Sequence, residues 1–201
     1  MNQILGHLPE LKRDELKRIV SVIHQKCDDA EMIILFGSYA RGDYKVEADL
    51  QPDRKSGHVS DYDILVVTGR KKTVDNAGLW SEITNACNSP KLSAHARIIT
   101  HDIQELNIKL AEGRYFFSDI KKDGCMLFDS GRFELAQERE PTPDEQQRIA
   151  RDHFDHWFEQ ANDFYRSYKD DLKGGRLKLA AFDLHQASES CYKAVMLVFT
   201  N

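Results

Sequence analysis

The sequence has few cysteines, no long apolar run and no excess of basic residues. Its four cysteines are widely spaced, which argues against a zinc site, a redox motif or a disulfide framework and fits reduced thiols in a cytoplasmic protein. No stretch has the apolar length of a membrane span. The segment from Met1 to Leu8 also lacks the basic start and apolar core of a secretory signal. We therefore expect a cytoplasmic protein with no membrane segment.

Acidic residues outnumber basic ones, and the net charge is −5. This balance argues against a broadly basic nucleic-acid-binding surface. It does not exclude binding of a single nucleotide, because a metal ion can supply the local positive charge. The hydrophobic fraction of 41% supports a globular core, and the length predicts one or two domains.

The first half of the chain alternates between helical and strand-like patterns. Two short apolar runs rich in β-branched residues, 32–36 and 64–67, predict neighbouring buried strands. Further elements follow from apolar periodicity and from turn residues: helices at 8–26, 74–88 and 102–112, and strands at 94–100 and 125–128. The aromatic segment 115–120 is predicted to pack against the sheet, although one of its rings can stack on a base.

Two carboxylates and a Gly-Ser pair stand beside the two central strands. Alternate strand residues face the same side, so Asp61 and Asp63 project together from the start of the second strand. Gly37 and Ser38 follow the first strand. Mg²⁺ prefers one or two carboxylates plus phosphate oxygens, and two such ions can clamp a phosphoryl displacement. Backbone N–H groups of the turn and the Ser38 hydroxyl can donate hydrogen bonds to phosphate.

The ordered combination of these motifs resembles a known family. Phe36–Asp43, which reads FGSYARGD, is followed by Ser60–Ile64, which reads SDYDI. This pattern is similar to the signature of the polymerase-β-type nucleotidyltransferases, and most closely to the small minimal nucleotidyltransferases. The resemblance implies an α+β fold with a mixed sheet and flanking helices. It also implies transfer of a nucleoside monophosphate from a Mg²⁺-bound nucleoside triphosphate, most often ATP, to a hydroxyl of a protein or small molecule.

The same resemblance implies roles for individual residues. Gly37 and Ser38 would hold the triphosphate, and Arg41 would contact phosphate or brace the turn. Asp61 and Asp63 would bind the catalytic Mg²⁺, in a site that can hold two metal ions.

Two features depart from the family pattern. The connection that contains Lys45–His58 is unusually long and polar, which favours a mobile surface excursion. Active members also carry a third carboxylate on a later strand, whereas the matching segment Ala94–Thr100 contains no acidic residue. His95 and Arg97 share one face of that segment, and Asp102 lies just past its end. Catalysis can then be slow, can use Asp102 or His95, or can be lost.

The C-terminal part has a different character. Prolines 141 and 143 lie in a polar segment, so we predict a nucleotidyltransferase domain at 1–136, a linker at 137–147 and a helical domain at 148–201. Ala180–Glu189 and the following Tyr192–Ala194 resemble the HEPN domain, a helical bundle often paired with minimal nucleotidyltransferases. The Arg and His that make many HEPN domains ribonucleases would stand on a later helix, so the bundle is expected to be incomplete here and no ribonuclease centre is predicted. The apolar face of its two helices predicts docking on the first domain or on a second copy, and a homodimer is the simplest arrangement.

Three classes of function remain open from the sequence. The first is a nucleotidyltransferase that uses a nucleoside triphosphate and modifies a small molecule or a protein acceptor. The second is a nucleotide-binding regulatory module that has lost turnover. The third is a toxin–antitoxin-like unit whose chief role is control of the HEPN domain.

Overall fold

Two compact units make up the chain, Met1–Arg139 and Glu140–Asn201. The structure is a computed structural model, and it describes residues 5–49, 59–88, 92–137 and 139–199. The predicted mobile excursion Lys45–His58 lies largely outside the described residues. Its first part forms a turn of 3₁₀ helix at Glu47–Asp49.

The first unit is a four-stranded mixed sheet with helices on both faces, which confirms the predicted α+β fold. The sheet order is β3-β2-β1-β4, in which β1 is antiparallel to β2 and β4, and β2 is parallel to β3. The elements of this unit in chain order are α1 Glu10–Lys26, β1 Ala30–Phe36, α2 Gly37–Arg41, β2 Tyr62–Thr68, α3 Lys71–Val74, α4 Ala77–Cys87, β3 Ala96–Asp102, α5 Ile103–Ala111, α6 Tyr115–Asp123 and β4 Cys125–Asp129.

Alternation along the buried strands divides the core of this unit into two layers. On β2, Ile64 belongs to one core cluster and Leu65 to the other. The first cluster contains the apolar residues of α1 and α4, and the second contains those of α5 and α6. Asp63 shares its side of β2 with Leu65 because side chains repeat every second residue. It therefore lies on the sheet face that α5 and α6 cover.

The structure differs from the sequence prediction at several short elements. The Gly-Ser turn is the beginning of α2, and the aromatic segment forms helix α6. Leu11 of α1 is exposed, although the apolar spacing of residues 8–26 predicts it on the buried stripe of the helix. Asp102, predicted to follow the third strand, is its last residue and forms the N-cap of α5. These differences concern positions where tertiary contacts outweigh local periodicity.

The second unit consists of two long helices, α7 Pro143–Lys173 and α8 Leu177–Phe199. Helix α7 begins inside the segment predicted as a linker, because Thr142 and Glu145 form a capping box and Pro143 occupies the first turn. In the described parts of the chain, no helix combines the length and the apolarity that crossing a bilayer requires.

Candidate functional site

Two carboxylates stand at the start of β2, next to the end of β1. Asp61 directly precedes β2, and Asp63 is the register partner of Phe36, the last residue of β1. Gly37 has a φ of +72°, and a Cβ atom at this position would lie 2.5 Å from Oδ2 of Asp63. The carboxylate of Asp63 therefore lies against the backbone of Gly37, in a space that any side chain at this position would fill. The structure thus brings together the Gly-Ser segment and the carboxylate pair.

Ser38 and Arg41 lie on the short helix α2, which begins at Gly37. The carbonyl oxygen of Ser38 accepts hydrogen bonds from the backbone N–H groups of Gly42, at 2.9 Å, and Asp43, at 3.1 Å. Gly42 adopts the left-handed conformation that ends the helix, with a φ of +84°. Nε of Arg41 lies 3.3 Å from Oδ2 of Asp43 in a solvent-exposed pair. Helix α2 thereby holds the backbone of Gly37 and Ser38 at the sheet edge that carries the carboxylates.

Charges of both signs act on Asp63. Burial is the largest influence and raises the pKa of its carboxyl group. The positive charge of Arg97 opposes this shift, the negative charge of Asp61 adds to it, and the charge of Arg41 opposes it. A further cation beside Asp63 would stabilise the ionised carboxylate, so binding of a metal ion and binding of a proton compete at this position.

Arg97 lies on the strand where the family resemblance leads one to expect a third carboxylate. It is the register partner of Asp63 on the adjacent parallel strand, so both side chains lie on the same sheet face. His95 precedes β3, and its carbonyl oxygen accepts the N–H of Tyr62 at 2.7 Å. Among the residues the structure describes, no three His, Cys, Asp or Glu side chains come together as a metal-binding group.

Asp102 does not replace the third carboxylate. It pairs with Thr68 at the opposite end of the strands, five residues beyond Arg97 and therefore roughly 17 Å along the sheet. Its Oδ1 accepts hydrogen bonds from the backbone N–H groups of Gln104, at 3.1 Å, and Glu105, at 3.0 Å. Its function is to cap α5.

The carboxylate pair fits one divalent cation better than two. The Asp63 carboxylate lies against the backbone of Gly37, where β1 ends and β2 begins. Two carboxylates plus phosphate oxygens form a ligand set that Mg²⁺ accepts. A second ion would have to approach the guanidinium of Arg97, which stays charged at all relevant pH values. Asp61 and Asp63 are therefore the residues that could hold a divalent cation.

A buried polar network lies beneath the site, on the face of the sheet that α1 covers. Tyr62, between the two aspartates, donates its hydroxyl hydrogen bond to Oε2 of Glu15 at 2.5 Å. Ser93 donates to the same carboxylate from its backbone N–H, at 2.6 Å, and from its hydroxyl, at 2.7 Å. Nζ of Lys12 donates to the Ser93 hydroxyl at 2.6 Å and to the Tyr39 hydroxyl at 3.2 Å. This network ties α1 to the three segments that carry Gly37–Ser38, Asp61–Asp63 and Arg97.

The ionisable groups of this network respond to burial and to each other. Burial lowers the pKa of Lys12, and the charge of Glu15 opposes that shift. Burial alone would raise the pKa of Glu15, but hydrogen bonds from Tyr62 and Ser93 and the charge of Lys12 hold it below its ordinary value. Burial also raises the pKa of the Tyr39 hydroxyl to about 12. The network therefore joins a buried lysine to a buried carboxylate through the hydroxyl of Ser93.

This network is absent from the predictions made from sequence, although the sequence contains one signal for it. Lys12 and Glu15 share the buried face of α1 with Leu16, Ile19 and Ile23. Charged residues at the spacing of an apolar helical stripe indicate a buried polar contact. Their partners come from distant segments and carry no local signal.

A pocket of about 210 Å³ adjoins Gly37 on the side of β4. Phe36 and Phe116 form its aromatic wall, with ring centroids 5.6 Å apart in an edge-to-face arrangement. Its polar lining consists of Arg41 from α2 and of Asp119 and Asp123 from α6. The aromatic segment 115–120 is apparent in the sequence, but the pocket is not.

In the second unit, helices α7 and α8 pack through small residues. Ala161, Ala180, Ala187 and Ala194 are buried, and the hydroxyl of Ser190 donates to Oε1 of Gln160 at 3.2 Å. Small side chains let the two helices approach closely. Several large apolar side chains of the pair are exposed: Phe158, Tyr165, Leu172, Leu177, Leu179, Phe182, Leu184, Tyr192, Val195, Met196 and Phe199.

Comparison with known proteins agrees with the analysis of these helices. A protein-family model matches residues 154–201. The matching family is the HEPN domain. The HEPN segment thus covers the greater part of α7 and all of α8, and it confirms the resemblance found in this part of the sequence. The match does not extend to the first unit, and neither a curated protein nor a solved structure matches the chain.

Proposed function

We propose that the first unit binds a nucleoside triphosphate together with one Mg²⁺ ion. The observation that carries the proposal is the close approach of the Asp63 carboxylate to the backbone of Gly37, where a Cβ atom would lie 2.5 Å from Oδ2 of Asp63. The phosphates would meet the backbone N–H groups and the hydroxyl of the Gly37–Ser38 segment, with Arg41 at their edge. Asp61 and Asp63 would hold the metal ion. ATP is the expected nucleotide.

The proposed reaction is transfer of a nucleoside monophosphate to a hydroxyl of a protein or small molecule, at a low rate. Attack by the hydroxyl breaks the bond between the α- and β-phosphates and releases pyrophosphate, and the hydroxyl proton must pass to a base. Arg97 stands where a third carboxylate would support this step, and a guanidinium cannot accept a proton. Binding without rapid turnover is therefore the function that this arrangement supports best.

Calorimetric titration of ATP into the full chain tests the binding. We expect heat of binding with Mg²⁺, no binding with EDTA, and no binding in the double variant Asp61→Asn/Asp63→Asn. The matched control is Asp28→Asn, because the Asp28 side chain is 98% exposed and lies outside the proposed site. Equal MgATP affinity in the double variant and in the wild type would refute the proposal.

Incubation with Mg²⁺ and ATP labelled at the α-phosphate tests the chemistry. We expect little label on any protein band or small molecule for the wild type. Rapid transfer would contradict the slow-turnover part of the proposal and would favour an active nucleotidyltransferase with a base outside β3.

The HEPN domain supports a second candidate function, in which the nucleotide state of the first unit controls the helical unit. Hydrogen exchange across residues 143–199, measured with and without MgATP, tests this candidate. Control predicts a change in exchange that the double variant Asp61→Asn/Asp63→Asn abolishes. Identical exchange with and without nucleotide would leave the first unit without influence on the HEPN domain.

A further inference from the structure

The pocket between α2 and α6 lies on the same sheet edge as the carboxylate pair. β1 ends where β2 and β4 begin, because both neighbours are antiparallel to it. Gly37 therefore stands between Asp63 on one side and the pocket on the other. A ligand whose phosphates meet Gly37 has its remaining atoms within reach of this pocket.

The aromatic wall of the pocket includes Phe116, whose ring is not buried in the core. Phe117 is buried in the core of the α6 face, whereas Phe116 is 45% exposed. The rings of Phe36 and Phe116 pack edge to face, and Phe116 retains accessible surface. Exposed aromatic rings of this kind stack on nucleobases, because every base has a π-face.

The polar lining distinguishes the two ends of a nucleotide. Asp119 and Asp123 are one helical turn apart on α6 and both line the pocket. Two carboxylates repel a triphosphate but accept hydrogen bonds from ribose hydroxyls and from exocyclic amino groups. Arg41 lines the pocket at the end of α2, the helix that begins at Gly37. The charges therefore favour a neutral nucleoside in the pocket and the phosphates at Gly37.

The size of the pocket agrees with this division. Its volume of about 210 Å³ is below the roughly 300–1,000 Å³ of pockets that enclose a whole drug-sized ligand. It can take one ring system of a larger ligand. The remainder of the ligand must lie outside, along the sheet edge.

We propose that the pocket between α2 and α6 holds the nucleoside end of the bound nucleotide, with Phe116 stacked on the base and with Asp119 and Asp123 accepting hydrogen bonds from the sugar or the base. This proposal rests on the proposed function. It assigns the aromatic segment of α6 to ligand recognition and predicts that the nucleoside and the phosphates are recognised by different elements.

Two probes separate the ends of the ligand: MgATP and Mg-tripolyphosphate, titrated into the full chain. We expect Phe116→Ala to weaken MgATP binding by about tenfold or more and to leave the affinity for Mg-tripolyphosphate unchanged. Phe116→Trp should retain MgATP binding, and Phe116→Leu, which keeps apolar volume, should not. Phe133→Ala is the matched control, because Phe133 is also partly exposed and does not line the pocket.

The outcomes distinguish this inference from the proposed function. Full MgATP affinity in Phe116→Ala and in Asp119→Asn/Asp123→Asn would overturn the nucleoside pocket and leave metal-dependent phosphate binding intact. Equal loss of affinity for both probes in Phe116→Ala, with unchanged binding in Phe133→Ala, would also overturn the nucleoside pocket. Phe116 would then support the fold of the phosphate site. Failure of the wild type to bind either probe with Mg²⁺ would overturn the proposed function and this inference together.

Discussion

Replacing Glu15 with alanine should destabilise the first unit more than the loss of a surface ion pair does. Its carboxylate accepts three hydrogen bonds, from the Tyr62 hydroxyl and from the backbone and hydroxyl of Ser93, at 2.5–2.7 Å. Lys12 is the buried cation beside it. The substitution leaves the buried Tyr62 phenol and the two Ser93 donors without their acceptor. It also removes the negative charge that acts on the buried ammonium group of Lys12.

The expected loss is about 3–5 kcal/mol of unfolding free energy, because the charge of Lys12 loses its compensation and three buried donors lose their acceptor. The unpaired Tyr62 hydroxyl alone accounts for about 1–3 kcal/mol of this loss. Urea unfolding followed by Trp80 fluorescence measures it, in a Trp157→Phe background so that only the first unit contributes. The control is Glu82→Ala, whose carboxylate pairs with Lys26 at the surface and should cost less than about 1 kcal/mol.

The pH dependence of this loss has a definite sign. The hydrogen bonds and the charge of Lys12 hold the pKa of Glu15 below 4.5 in the folded state, against the effect of burial. Near that pH the unfolded state binds more protons at Glu15, so its stabilisation is complete above the unfolded pKa and disappears as pH falls through the folded pKa. The gap between wild type and Glu15→Ala should therefore narrow in acid. A loss no larger than that of Glu82→Ala, or a gap that is constant down to pH about 3, would refute this reasoning.

Three further predictions concern single positions. Gly37→Ala should lower both the melting temperature and the MgATP affinity more than Gly131→Ala does. Both glycines have a positive φ, but only a Cβ at position 37 would lie against a carboxylate. Equal effects of the two substitutions would contradict the close approach of Asp63 to Gly37. Arg97→Asp should strengthen Mg²⁺ binding measured by calorimetry, whereas Lys72→Asp should leave it unchanged. Burial lowers the pKa of His101, and the charge of Lys109 lowers it further. The folded state should therefore lose stability as pH falls below about 6.5. Thermal melts of His101→Phe should not show that loss.

The sheet and the carboxylate pair could be predicted because their signals are local. The apolar runs at 32–36 and 64–67 lie within β1 and β2, and Asp63 is the second residue of β2 with Asp61 just before the strand. The capping box of α7 is equally local, and it corrects the start of the helix to Pro143. Each of these features needs only a few neighbouring residues.

The opposition of Arg97 and Asp63 could not be predicted, because it depends on strand register. A shift of one residue between β2 and β3 would turn Arg97 to the other face of the sheet. The buried network has the same long-range character, since Glu15 and Ser93 belong to segments far apart in the chain. Periodicity shows that a residue is buried, but it does not show which partner it contacts.

Under the proposed function, the position of Arg97 separates nucleotide binding from nucleotide consumption. A guanidinium beside Asp63 supplies part of the positive charge that a second metal ion would otherwise bring, so a triphosphate can still be attracted to the site. It cannot accept the proton of an attacking hydroxyl, so under our proposal the bound nucleotide would be consumed slowly. A ligand that binds the folded state and is not consumed stabilises that state in proportion to the logarithm of its concentration. Under our proposal, the first unit would report nucleotide concentration through its stability.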